Sequence, residues 1–80
     1  MTAPAASPHL PARPSVLDLS RRQRTCLTLA AQGLTSIDIG RHLGISGRTV
    51  DEHLMLACHA LGVRTRVQAA ARLTAAMRAG

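Results

Sequence analysis

The sequence predicts an all-α fold, and three observations carry that prediction. Phe, Tyr and Trp are absent, whereas alanine supplies 14 and leucine 11 of the 80 residues. Strands favour β-branched and aromatic side chains, so this aromatic-free mixture suits small helices packed closely. Hydroxyl residues followed three positions later by an acid or amide recur along the chain, as they do at helix starts. Glycines stand at the matching ends, where a left-handed residue stops a helix. No strand of convincing alternation and no internal repeat is present. Eighty residues make one small domain, with no room for a catalytic domain beside a cofactor domain.

All four prolines, at positions 4, 8, 11 and 14, precede the helical pattern. Residues 1–16 are expected to form a flexible, disordered Pro/Ala-rich tail, and residues 17–80 the folded domain. Ser20-Arg-Arg-Gln23 opens a first helix near 20–32, closed by Gly33. Thr35-Ser-Ile-Asp38 opens a second at 36–43, closed by Gly44; its box is the weakest, because Asp38 is short. Ser46 caps a third at 47–61, ended by Gly62, and Thr65-Arg-Val-Gln68 opens a fourth at 66–78. The second and third helices are joined only by Gly44-Ile45-Ser46. That spacing is a helix-turn-helix arrangement, with Ile45 plugging the core between the two helices.

Charge points to a partner. Ten basic residues, all arginine, face four acids, giving +6 at neutral pH. Arginine forks onto phosphate and guanine better than lysine does. A basic domain of this size suits nucleic acid, although net charge alone does not separate DNA from an anionic membrane, and a GC-rich genome also favours arginine. The lack of aromatic rings excludes a stacking platform for single strands. No apolar run spans a membrane, and the proline-broken start has no signal-peptide core. Two distant cysteines without CxxC make no disulfide framework, so a reduced cytoplasm is expected.

From Leu19 to about Arg72 the chain resembles the LuxR-type helix-turn-helix domain of bacterial transcription regulators. The matching residues are Leu19-Ser20-Arg21-Arg22-Gln23, Cys26-Leu27, Ala31-Gln32-Gly33-Leu34-Thr35 and Asp38-Ile39-Gly40. They continue as Leu43-Gly44-Ile45-Ser46-Gly47-Arg48-Thr49-Val50-Asp51-Glu52-His53, Leu61-Gly62-Val63 and Arg66-Val67-Gln68-Ala69. The resemblance implies a four-helix DNA-binding domain that often dimerises through its last helix.

Helical periodicity divides the third helix. Val50, Leu54, Ala57 and Leu61 share one stripe, with His53 and Ala60 at its edge. Arg48, Asp51, Glu52, Met55 and His59 occupy the opposite face, with Thr49 and Leu56 alongside. The first set is core; the second is what a major groove would meet. Relatives commonly carry Lys or Arg where this chain has Asp51, Leu54, Met55 and Ala60. Asp51 and Glu52 repel phosphate, accept from cytosine, or simply favour a helix N-terminus. Met55 and Leu56 side by side also suit a protein contact. Arg41, Arg48, Arg64 and Arg66, with Ser46 and Thr49 at a helix N-terminus, are the expected phosphate contacts; Arg21, Arg22 and Arg24 join that set.

The remaining candidates are plainer. His53, Cys58 and His59 lack metal-ligand spacing, so no metal and no cofactor is expected. His53 reads as a partly buried histidine with a hydrogen-bonded ring, and Cys26 and Cys58 as small apolar residues near the core. No nucleophile constellation suggests an enzyme. In the last helix, Ala69, Leu73 and Ala76 either cover the domain's own core or form a symmetric dimer contact. The expected function is a bacterial regulator, homodimeric on an inverted repeat of double-stranded DNA. The alternative is a module of the same fold that modulates another regulator or RNA polymerase. Eighty residues leave no room for a sensor, so the chain either acts alone or its sensory domain lies elsewhere.

Overall fold

The computed structural model describes residues 15–79. A 3-10 turn at Val16–Asp18 leads into α1 (Arg21–Ala31), α2 (Ser36–Leu43), α3 (Gly47–Leu61) and α4 (Arg66–Ala79). No strand occurs among the described residues. The four helices match the expected ranges to within one residue at each end. Most of the expected tail lies outside the described residues, but its last two positions do not. Ser15 and Val16 belong to the folded domain. Ser15 Oγ accepts from the Leu17 amide at 3.1 Å, and the Ser15 amide donates to Asp18 Oδ2 at 3.0 Å. Arg24 Nη2 donates to the Val16 carbonyl at 3.2 Å, tying the turn to α1. Ser15-Val-Leu-Asp18 is thus a fourth hydroxyl–acid pair, set directly behind the last proline.

The caps explain why each helix begins where it does. A helix leaves its first amides without intrahelical partners, and a side-chain oxygen satisfies one of them. Ser20 and Gln23 do this reciprocally at 3.1 and 3.0 Å, as do Thr65 and Gln68 at 3.1 Å each. In the α2 box the return bond, from the Thr35 amide to Asp38 Oδ2, stretches to 3.4 Å. Asp38 is one methylene short, as expected. Gly33, Gly44 and Gly62 all have positive φ.

Burial then sorts the faces. Leu19, Cys26, Leu27, Ile39, Val50, Leu54, Ala57, Cys58, Leu61, Ala69 and Leu73 form one core. It sits where α3 meets α1 and α2, with α4 closing the side against α1 and α3. Both cysteines are free and buried, as the apolar reading requires. Burial pushes both thiols up, partly offset by Arg22 at Cys26 and Arg66 at Cys58. Arg72 Nη1 donates to the Leu61 carbonyl at 3.5 Å, holding α4 over the end of α3.

The α2–α3 turn is built by close approach. Gly44 takes φ 72°, ψ 31° and donates back to the Gly40 carbonyl; the Ile45 amide donates to the same oxygen at 3.0 Å. Ile45 packs against the core from the turn. A Cβ on Gly40 would lie 2.4 Å from the Ile45 carbonyl oxygen. Only glycine lets the turn fold back so tightly onto α2. Ser46 then accepts from the Thr49 amide at 3.1 Å, starting α3 at Gly47.

Candidate nucleic-acid interface

The two faces of α3 have separate duties. Val50, Leu54, Ala57, Cys58 and Leu61 are buried, whereas Arg48, Asp51, Glu52, Met55, Leu56 and His59 are exposed. Thr49, His53 and Ala60 lie between. The core stripe expected from periodicity is buried, joined by Cys58, the small apolar residue expected near the core. Leu54, one of the departures from the basic pattern of relatives, is buried. It cannot face a groove. Of the other three, Asp51 and Met55 are exposed and Ala60 is half-buried. His53 is half-buried, as expected.

Asp51 is not a free acid on this face. Its Oδ1 accepts from Arg66 Nη2 at 3.0 Å and from the Ser36 hydroxyl. Arg66 Nη1 donates to Ser36 Oγ at 3.1 Å, closing a three-residue network. Ser36 and Arg66 are the first residues of α2 and α4, and Asp51 lies in the second turn of α3. One exposed cluster thus joins three helices. Hydrogen bonds from Ser36, then from Arg66, hold the Asp51 carboxyl below the usual carboxylate range. The expected role for Asp51 as a cytosine reader leaves out this commitment of Oδ1. Ser36 is the residue that sequence reasoning missed. It lies 15 positions from Asp51 and 30 from Arg66, so no local period connects them.

The other expected contacts are available. Ser46, Arg41, Arg48, Glu52, Met55 and Arg64 are all exposed, and Thr49 is half-buried with its hydroxyl 3.0 Å from Ser46 Oγ. A shallow groove of about 450 Å³ beside α3 brings Asp51, Met55, His59, Arg64 and Arg66 together. Arg24 differs, because the 3-10 turn occupies it. Among the described residues, no three of His, Cys, Asp and Glu come together as a metal-binding set. No helix among them is long and apolar enough to cross a membrane.

Of the two readings left open for the last helix, core cover describes two of its three residues. Ala69 and Leu73 are only 0% and 3% exposed, spent on the domain's own core. They offer no surface to a second copy. Ala76, half-buried, remains at the surface beside exposed Met77.

Comparison with known proteins decides the family. The family of bacterial regulatory proteins named luxR matches residues 17–73. The chain belongs to the LuxR family. Its four helices and the turn at Gly44–Ser46 are the LuxR-type helix-turn-helix expected from the sequence, and this is a family of regulators rather than of enzymes. Among its relatives is YhjB of Escherichia coli (strain K12), which carries the name of an HTH-type transcriptional regulator; it is 47% identical over 55 residues. The transcriptional activator protein LuxR of Aliivibrio fischeri is 43% identical over 51 residues. These matches cover 69% and 64% of this chain, but 28% and 20% of the two relatives. What this LuxR-family chain shares with them is one domain.

Proposed function

We propose that this chain binds double-stranded DNA as a transcription regulator, laying the outer face of α3 in the major groove. The single observation that supports it best is the division of α3. Its inner face holds the core, while its outer face carries polar and flexible side chains free of packing duty. The 15-residue helix is about 22 Å long, and its N-terminal residues are the ones that reach base edges in such a fold. Glu52 and Met55 are the readers; a methionine suits the thymine methyl, and a carboxylate the cytosine amino group. Arg41, Arg48 and Arg64, with Ser46 and Thr49 at the N-terminus of α3, hold the phosphates.

A second copy docks through what α4 leaves exposed, around Ala76 and Met77, and the pair reads an inverted repeat. Half-sites would then be spaced about 34–36 Å, one helical turn, or a multiple of it. Binding of an inverted repeat over a single half-site, with sedimentation at twice the monomer mass, tests that part.

The test of DNA binding is a titration of the purified chain against duplex DNA at rising salt. Log K should fall linearly with log salt, at about −0.9 per neutralised phosphate. Arg48→Ala should weaken binding to all sequences, whereas Glu52→Ala and Met55→Ala should change the sequences selected from a random pool. A second reading draws on Ile37, Met55 and Leu56, all at least half exposed: the face contacts a protein such as RNA polymerase or another regulator. Absence of salt-dependent binding to duplex would favour it.

A further inference from the structure

Resting on the DNA-binding reading, we propose that Asp51 withholds Arg66 from the phosphate backbone, its carboxylate standing where a phosphate oxygen would. Both terminal nitrogens of Arg66 are engaged, Nη2 by Asp51 at 3.0 Å and Nη1 by Ser36 at 3.1 Å. Asp51 takes one N–H of Nη2 and Ser36 one of Nη1, and the Asp51 carboxylate neutralises the charge that a phosphate would otherwise pair with. The pair lies on the outer side of α3, in the groove that also holds Met55 and Arg64. It is not buried beneath that surface: the two side chains are 46% and 55% exposed. A phosphate can therefore reach Arg66 without unfolding, but it meets an unpaired charge there only by displacing Asp51.

Among the described residues this is the one ion pair. Glu52, the next residue along α3, makes none. The acid is thus aimed at one particular arginine rather than spread over the face. Ser36 keeps it there, since its hydroxyl both donates to Asp51 and accepts from Arg66. Asp51 is a positioning residue: it acts on DNA affinity through Arg66 and reads no base. The arrangement lowers the effective count of phosphate contacts by one. It keeps a basic domain from holding every duplex tightly, because non-specific affinity rises with each neutralised phosphate.

The experiment measures binding of the full chain to a random-sequence duplex from 50 to 200 mM salt by fluorescence anisotropy. Wild type, Asp51→Asn, Arg66→Gln, the double variant and Glu52→Gln are compared, with circular dichroism melting to confirm folding. Asp51→Asn should bind about five- to tenfold more tightly at low salt, with a salt slope steeper by about 0.9. The gain should vanish in the double variant. Glu52→Gln should give a smaller gain that does not depend on Arg66. An unchanged slope in Asp51→Asn, weaker binding, a gain that survives loss of Arg66, or a switched base preference overturns the proposal. If wild type binds with salt dependence and Asp51→Asn matches it, only this proposal falls. If neither binds in a salt-dependent way, the DNA-binding reading falls with it.

Discussion

Helices α3 and α4 are nearly equal in length, 15 and 14 residues, yet five residues of α3 are buried and only two of α4. The difference shows how a domain this small frees one surface for work. Because α3 is anchored along a whole stripe, its outer face can carry Arg48, Glu52 and Met55 without regard to packing. The anchorage of α4 is sparser: Ala69 and Leu73 in the core, Arg72 to the Leu61 carbonyl, and Arg66 to Asp51. Its exposed Val67 and Met77 are surface that the fold does not use. Of the two, α3 is the more firmly anchored.

The comparison can be broken most severely from the α3 side. Leu54→Ala should cost about 2–5 kcal/mol, the usual range for emptying a buried leucine site. For a domain of this size that is a large share of its total stability, so the melting transition should drop sharply or disappear. Leu73→Ala should cost less, about 2–3 kcal/mol, because α4 has fewer anchors and can shift to close the space. Its amides should then exchange with solvent faster than those of α3. Equal costs at the two sites would erase the distinction. Gly40→Ala tests the turn that aims α3. A methyl 2.4 Å from the Ile45 carbonyl oxygen forces the backbone apart, and overpacking of this kind costs about 1–3 kcal/mol. DNA affinity should fall beyond what the change in melting explains. Ser46→Ala removes only a cap, at about 1 kcal/mol, read in the same melting experiment.

The smallest effect is on pH. Hydrogen bonds from Ser36 and Arg66 hold the folded-state pKa of Asp51 below the ordinary value for an aspartate. Its contribution is therefore present above that value and lost as pH falls through the folded pKa. Wild type should lose slightly more melting temperature than Asp51→Asn between pH 5 and pH 2.5. The pair is exposed and solvent-screened, so the difference should be small.

The fold was legible because its rules are local. Capping pairs lie three residues apart, glycines mark the ends, and the α3 stripe repeats with the helical period, so each helix falls within a residue of its expected range. Where local signals competed, the reading slipped. Proline at position 14 hid the Ser15–Asp18 cap just behind it. Ala69 and Leu73 show a different limit: an alanine-rich helix has no strong apolar face, so the sequence did not decide between core and partner. The outer face of α3 was readable, but the use made of Asp51 was not. That depends on Ser36 and Arg66, which only the packing of α2 and α4 brings beside it.

The central claim is that α3's outer face, rather than the unused surface of α4, meets DNA. The most direct measurement is a titration of isotope-labelled protein with a short duplex, followed by amide and methyl chemical shifts. The largest changes should fall on residues from Ser46 to Met55, including the Met55 methyl, with Arg41 and Arg64 near them. Leu17, Met77 and the α1 amides should move little. Changes centred on Leu17 and Met77, with Arg48 and Met55 unmoved, would contradict it.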